Sequence, residues 1–579
     1  MSDSSESAFS FLSNWKFGLA VCVPCFAVGL GVTYYYYSKK PDESRPVNTS
    51  AAADRSVVIN IDDSNGVVQK TANTNGIDRN VAPPKSLVEQ VEDFKKQGNN
   101  EFSKGNYDGA ITFYTQALSM CPGSEKGLLS VVFQNRAAAY SKLNDHENCV
   151  ADCNKALNLV PTYKKALSRR ARALTEMGNF KLALEDITAV VMLDEFKNQT
   201  DVIFADSVIK KLGRQNLEEY TKNNSFNLPT KTFIDNYLKS FCDDPFNDEF
   251  PQTLVKSDVN TGLELALKCI RDKQYEGIEE ACKEELNKTD NSLIRRALTL
   301  NLLATFSILR GNYAYGIEHL STVIETPGVP NKLVVNSLIK RAAVHHQQEQ
   351  VEKSFEDLKK AENISPNNSE VFHHRAQIYL LEMNSEKAVE EFKRAVELNP
   401  KFVLSSVQCC YAQYLHAKQM SNELDAEKYL RKLKEFVIKH PDHAESYTLY
   451  AQALSEKGAY EEADSLFKKV HEIYPDNATF LVHRALVVLS WKSSINEAFE
   501  FLEQALKIDP KCDYAYETLG TLYIQTGKLN EAVKCLEKAI HLAKSEKELL
   551  HIFSLRDSAR AQLGVVERLG LILQQNISF

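Results

Sequence analysis

The chain has 579 residues, with 69 Lys and Arg against 77 Asp and Glu and a formal net charge of −8. Its 22 Gly and 17 Pro make about 7% of the chain against about 12% in average usage, too little punctuation for an all-β protein and consistent with long helices. An apolar share of 43% excludes wholesale disorder, the length exceeds one compact core, and the mild acidity gives no basis for nucleic-acid binding.

Residues 1–16 form a short tail that sums to one negative charge, from Asp3, Glu6 and Lys16. Residues 17–37 then run without a charge, with Trp15 before them and Tyr34, Tyr35, Tyr36 and Tyr37 closing the run. A helix of that length spans about 31 Å, which matches the bilayer core, and aromatic residues favour its two interfaces. The positive leader of a signal peptide is missing, so the segment reads as a single transmembrane anchor. Lys39 and Lys40 follow it and place the bulk of the chain on the cytosolic side. Twelve cysteines, irregularly spaced, fit reducing surroundings; Cys22 and Cys25 have a CxxC spacing but no second ligand pair. Residues 38–88 are rich in Ser, Asn, Asp and Ala and read as a flexible polar tether.

From there the chain repeats itself about every 34 residues. One unit carries Gly98, Gly105, Ala110, Tyr114, Ala117 and Pro122 at fixed offsets, and the next carries Ala137, Tyr140, Ala156 and Pro161. Later copies carry Ala376, Tyr379, Ala388, Phe392, Ala395 and Pro400, or Ala451, Gly458, Ala463, Phe467 and Pro475. Small residues let two helices of a hairpin pack closely, an aromatic fills the remaining space, and Pro ends the second helix. The pattern resembles the tetratricopeptide repeat, and it predicts an all-α superhelical solenoid in two modules behind the transmembrane helix. The predicted divisions are a three-repeat module at 89–195, a connector with short helices at 196–253, a second array at 254–546 and a capping helix at 547–579. Residues 401–441 read as an insertion that blurs the register.

No catalytic or cofactor motif stands out, and repeats fill the space an enzyme domain would need, so no enzyme, cofactor or metal is expected. The doublets His345-His346 and His373-His374 point about 100° apart on a helix and make poor chelators.

One constellation does stand out. Lys95 and Asn99 share a face of the first helix of repeat one, Asn135 lies in the first helix of repeat two, and Lys165 and Arg169 share a face in repeat three. First helices line the concave side of a solenoid, so these five side chains are expected to converge there, with Lys164, Arg170 and Arg172 raising the local positive potential. Cations together with amide donors suit closely spaced carboxylates. The segments FKKQGNNEF, FQNRAAAY and YKKALSRRARA resemble the dicarboxylate clamp of chaperone-binding tetratricopeptide modules. That resemblance implies that Lys95, Asn99 and Asn135 grip a C-terminal carboxylate and that Lys165 and Arg169 hold the final Asp side chain. The ligand it implies is the Glu-Glu-Val-Asp tail of the 70- and 90-kilodalton heat-shock chaperones.

Anchor, tether, clamp module, connector and second array occur in one order. With NRAAAY, RRARAL, HHRAQIYL and LEDITAVVMLDEFKNQ, that organisation is similar to the 70-kilodalton import receptors of the mitochondrial outer-membrane translocase, in their animal form. The resemblance implies an outer-membrane receptor that takes hydrophobic precursors, such as carriers, from chaperones and passes them on to other translocase subunits. His373 and Gln377 are the expected wall residues of the precursor groove. A clamp-bearing receptor of the endoplasmic reticulum or another organelle, and an enzyme-linked chaperone adaptor, are the alternatives.

Overall fold

The computed structural model describes residues 86–570 apart from 225, 256, 257, 259, 290 and 291. The predicted anchor at 17–37 and most of the tether lie outside the described residues; among those described, no helix is long and apolar enough to cross a membrane. The described residues form 26 α-helices and no strand, and the chain divides after Asp201 into two compact units.

The first unit is three helical hairpins. They pair α1 (Leu87–Ser103) with α2 (Tyr107–Met120), α3 (Lys126–Lys142) with α4 (His146–Leu159), and α5 (Lys164–Glu176) with α6 (Phe180–Leu193). The repeat's small residues explain the packing: Ala110, Ala117, Ala137, Ala156, Ala171 and Ala183 are all fully buried. In the second hairpin Cys149 and Cys153 stand where small and aromatic residues are expected, and both are fully buried as small hydrophobes.

The second unit takes in most of α7 (Gln199–Asn223), followed by α8 (Lys231–Lys239) and α9 (Glu249–Val255). Eight hairpins follow. The first two are α10 (Gly262–Arg271) with α11 (Ile278–Leu286) and α12 (Leu293–Leu309) with α13 (Tyr313–Glu325). Next come α14 (Asn331–Gln347) with α15 (Val351–Ile364) and α16 (Ser369–Leu381) with α17 (Ser385–Leu398). Then α18 (Val403–Gln419) pairs with α19 (Glu423–Lys439), and α20 (Ala444–Lys457) with α21 (Tyr460–Ile473). The last pairs are α22 (Thr479–Lys492) with α23 (Ile495–Ile508) and α24 (Asp513–Gln525) with α25 (Leu529–Leu542), followed by α26 (Glu546–Leu569).

Two features of this unit differ from the reading of the sequence. Residues 401–441 contain an ordinary hairpin, α18 and α19, whose helices are 17 residues each; extra length, not a break, blurs the register. The connector opens with a 25-residue helix because its prolines, Pro229, Pro245 and Pro251, all lie beyond it. That helix packs on the far end of the chain: Asn216 Nδ2 donates to Asp557 at 2.6 Å, and the rings of Tyr220 and Phe553 meet edge to face at 6.0 Å. Tyr313 also donates to the Lys544 carbonyl, so early and late repeats of this array touch.

The turn inside each hairpin follows one rule. A residue with positive φ is followed by a residue whose side chain or backbone opens the second helix. Gly105 (φ 82°) precedes Asn106, whose Oδ1 accepts from Gly109 N–H, and Gly178 (φ 77°) precedes the cap Asn179. Where glycine is absent the same conformation is forced on Asn144, Lys273, Glu349, Met383, Ser421 and Ser493, at a cost of about 1–2 kcal/mol for a residue with a Cβ. These six hairpins thus keep the turn without its signature residue.

Candidate functional site

The first helices of the first unit each bring one part of the site. On α1, Glu92, Lys95 and Asn99 follow one another at helical spacing. Asn99 Oδ1 accepts from the Tyr114 hydroxyl of α2 at 2.8 Å and from Asn135 Nδ2 of α3 at 3.0 Å. With its oxygen engaged twice, the amide NH2 of Asn99 is left as a donor. Gly98 makes this possible: a Cβ there would lie 2.5 Å from Tyr114 Cε1. Burial pushes the Tyr114 hydroxyl up to about 12, so it stays a protonated donor.

Arg169 of α5 comes beside this pair. It donates through Nη1 to the Gln134 carbonyl at 3.0 Å, one residue from Asn135. Burial draws its pKa below the usual range, with Cys149 and Cys153 of α4 and the hydroxyls of Tyr163 and Tyr114 close by; arginine remains a cation under such a shift. Lys165, one turn earlier, is exposed. Lys95 is bound by Glu92 at 2.6 Å. Asn99, Asn135 and Arg169 are therefore linked or adjacent through hydrogen bonds, whereas Lys95 and Lys165 flank them.

The expected supporting charges are spent inside the fold. Arg170 makes two bonds to Asp186, both 2.6 Å, Lys164 pairs with Asp194 at 2.8 Å, and Arg172 lies 3.8 Å from Asp201. Arg136 grips Asp152 in the same way at 2.6 and 2.8 Å, and Arg341 grips Asp357 at 2.7 and 2.8 Å. In each of these two-bond grips the arginine stands in a first helix and the acid 16 residues later in the second, so a planar fork clasps each hairpin. Arg170 is structural and Arg169, its neighbour, faces the site.

Tyr114 was not visible from sequence as a site residue, since the repeat asks there only for an aromatic. Tyr114→Phe is expected to keep the fold and to weaken binding of a dicarboxylate tail about three- to tenfold, the effect of losing one hydrogen bond that fixes Asn99; titration calorimetry reads it.

A second candidate site lies wholly within the second unit, a cavity of about 850 Å³. Its wall comes from first helices and from α8, including Phe233, Val344, Gln377, Gln408, Glu445 and Phe480. Gln377 Nε2 donates to Gln408 Oε1 at 2.9 Å, and Gln408 in turn bonds Glu445, whose carboxyl burial pushes up to about 7. His373 does not reach the cavity. Its ring is fully buried against Phe392 and Phe402, and Nδ1 meets Ser405 Oγ at 2.9 Å. First helices in this array are buried on nearly every side, so a face chosen by helical spacing alone misplaces this residue. Lys340 also lines the cavity with its ammonium on Asn301 Oδ1 and Thr305 Oγ1, both at 2.9 Å.

His374 sits next to His373, and burial lowers its pKa to about 4 from 6.5. A histidine depressed in the fold binds its proton more readily in the unfolded chain. Its stabilisation is therefore complete above pH 6.5 and is lost as pH falls toward 4, by about 3 kcal/mol. His374→Gln should flatten the fall of unfolding temperature over that window; an unchanged pH profile would contradict the assignment.

Tetratricopeptide-repeat profiles match residues 131–163, 369–402, 444–477 and 493–551. The mitochondrial import receptor subunit TOM70 of Rattus norvegicus is 37% identical over 499 residues, covering 84% of this chain and 81% of that protein. The chain belongs to the TOM70 family. The TOM70 of Homo sapiens is likewise 37% identical, over 497 residues with the same coverage, and the crystal structure of the yeast Tom70 is 23% identical over 83% of this chain and 98% of that one, with a TM-score of 0.48. Within the family's repeats, the profile at 131–163 takes in Asn135 of the candidate site, and that at 369–402 takes in His373 and Gln377.

Proposed function

We propose that the chain is a mitochondrial import receptor that docks cytosolic chaperones by their acidic C-terminal tails and receives hydrophobic precursors from them. Family membership supports the receptor role. The observation that carries the docking step is the contact of Asn99 with Asn135 beside the Arg169 guanidinium. Two amides and a cation lie within reach of one another there, with Lys95 and Lys165 at the margins, a donor set matched to the paired carboxylates of a chain terminus ending in Asp.

In this reading Lys95, Asn99 and Asn135 take the terminal carboxylate, and Lys165 and Arg169 take the Asp side chain, of the 70- and 90-kilodalton heat-shock chaperones. Residues 89–195 are the docking module, 196–253 the connector, 254–546 the precursor array and 547–579 its cap. Residues 17–37 anchor the chain once through the outer membrane, with the tether at 38–88 and the bulk of the protein in the cytosol beside other translocase subunits. The cavity receives precursor segments, with Gln377 on its wall. Two modest sites on one chain raise the effective concentration of the second partner once the first is bound.

Import of a carrier precursor into isolated mitochondria, with excess chaperone-tail peptide added, tests the coupling of the two steps. Inhibition by the free-acid peptide and not by its C-terminal amide is the expected outcome. Equal import with either peptide would overturn the docking role.

A further inference from the structure

The clamp cations differ in how they are occupied inside the protein. Lys165 is exposed and Arg169 donates a hydrogen bond to a neutral carbonyl, and neither forms an ion pair among the described residues. Lys95 differs: its ammonium is held by both oxygens of Glu92, at 2.6 and 2.7 Å. Glu92 and Lys95 are three apart and Lys95 and Asn99 four apart, so acid, cation and amide form one stripe along α1. The Glu92 side chain is 37% exposed and that of Lys95 19%, so the pair is open to a competing carboxylate.

We propose that Glu92 is an internal competitor for the clamp, a specificity-determining residue that occupies Lys95 in the free protein and is displaced when an acidic tail docks. The proposal rests on the docking reading given above. A tail that ends in two close carboxylates must either take Lys95 from Glu92 or sit beside a like charge, and both lower its affinity. A ligand with a single weakly placed carboxylate cannot displace an acid already tethered one turn away, because the tethered group has the higher effective concentration. Glu92 thus costs the docking tail some affinity and excludes weaker acidic peptides.

The test uses the full chain in mild detergent, titrated calorimetrically with a peptide ending Glu-Glu-Val-Asp. Glu92→Gln is expected to bind about three- to tenfold more tightly than the unaltered chain, the scale of an exposed ion pair plus a nearby like charge. On a Lys95→Ala background the same substitution should change affinity less than twofold. Binding by the unaltered chain with Glu92→Gln equal or weaker overturns this inference alone, as does a gain that persists without Lys95. Absence of binding by the unaltered chain overturns the docking reading, and this inference with it.

Discussion

Replacing Arg169 with alanine is expected to weaken binding of a Glu-Glu-Val-Asp peptide by about 30- to 150-fold, the loss of about 2–3 kcal/mol for one charge-assisted contact. The fold should survive, because the side chain makes one internal hydrogen bond, to the Gln134 carbonyl. Arg169→Lys should recover only part of the affinity. A lysine can direct its ammonium to the ligand or donate a hydrogen bond to Gln134, but it cannot present a planar fork to both. Binding of Arg169→Ala within twofold of the unaltered chain would remove Arg169 from the site.

The second large effect belongs to its neighbour's partner. Asp186 is buried and accepts two hydrogen bonds from Arg170, whose Nη1 also donates to Asn154 Oδ1. Asp186→Ala leaves a partly buried guanidinium without its acid, a change that destabilises by about 3–5 kcal/mol. Repeats are stable through their neighbours, so α5 and α6 should lose protection from hydrogen exchange first and tail binding should fall with them. The double replacement Arg170→Met with Asp186→Leu is expected to recover most of the stability, since a buried ion pair replaced by packed apolar groups is close to neutral. Lys164→Ala, which breaks a half-exposed pair with Asp194, should cost little, because solvent screens such a pair. If Asp186→Ala unfolds no earlier than Lys164→Ala, the two-bond arginine grip does not hold the hairpin.

These two neighbours show what was legible in the sequence. The small and aromatic positions of the repeat foretold the helical hairpins, and spacing put Lys95 with Asn99 and Lys165 with Arg169. Spacing did not say which of Arg169 and Arg170 is spent on an internal acid. The answer was written 16 residues further on, where Asp186 follows Arg170 as Asp152 follows Arg136 and Asp357 follows Arg341. Such a partner in the second helix marks an arginine as structural. The supporting potential expected from Lys164, Arg170 and Arg172 fails for the same reason.

Other misreadings have local causes. Ser421 holds the positive-φ turn of the 401–441 hairpin without glycine, so the extra helix length there comes without the usual turn residue. α7 carries no repeat pattern because it packs on α26 instead of pairing in a hairpin. His373 lies on a first helix, as expected, but its neighbours on α17 and α18 close over it. Nothing in the linear pattern shows that the cavity takes α8 as part of its wall.

The role proposed for the Asn99, Asn135 and Arg169 cluster is recognition of a free C-terminal carboxylate together with an Asp side chain. Its most direct measurement is calorimetric titration of the full chain with a Glu-Glu-Val-Asp peptide, beside the same peptide with its terminus amidated. Micromolar binding to the free acid is expected, with at least a tenfold weaker complex with the amide, because the amide removes the charge that the two asparagines and Lys95 are placed to meet. Equal affinity for the two peptides, or none for either, would contradict it.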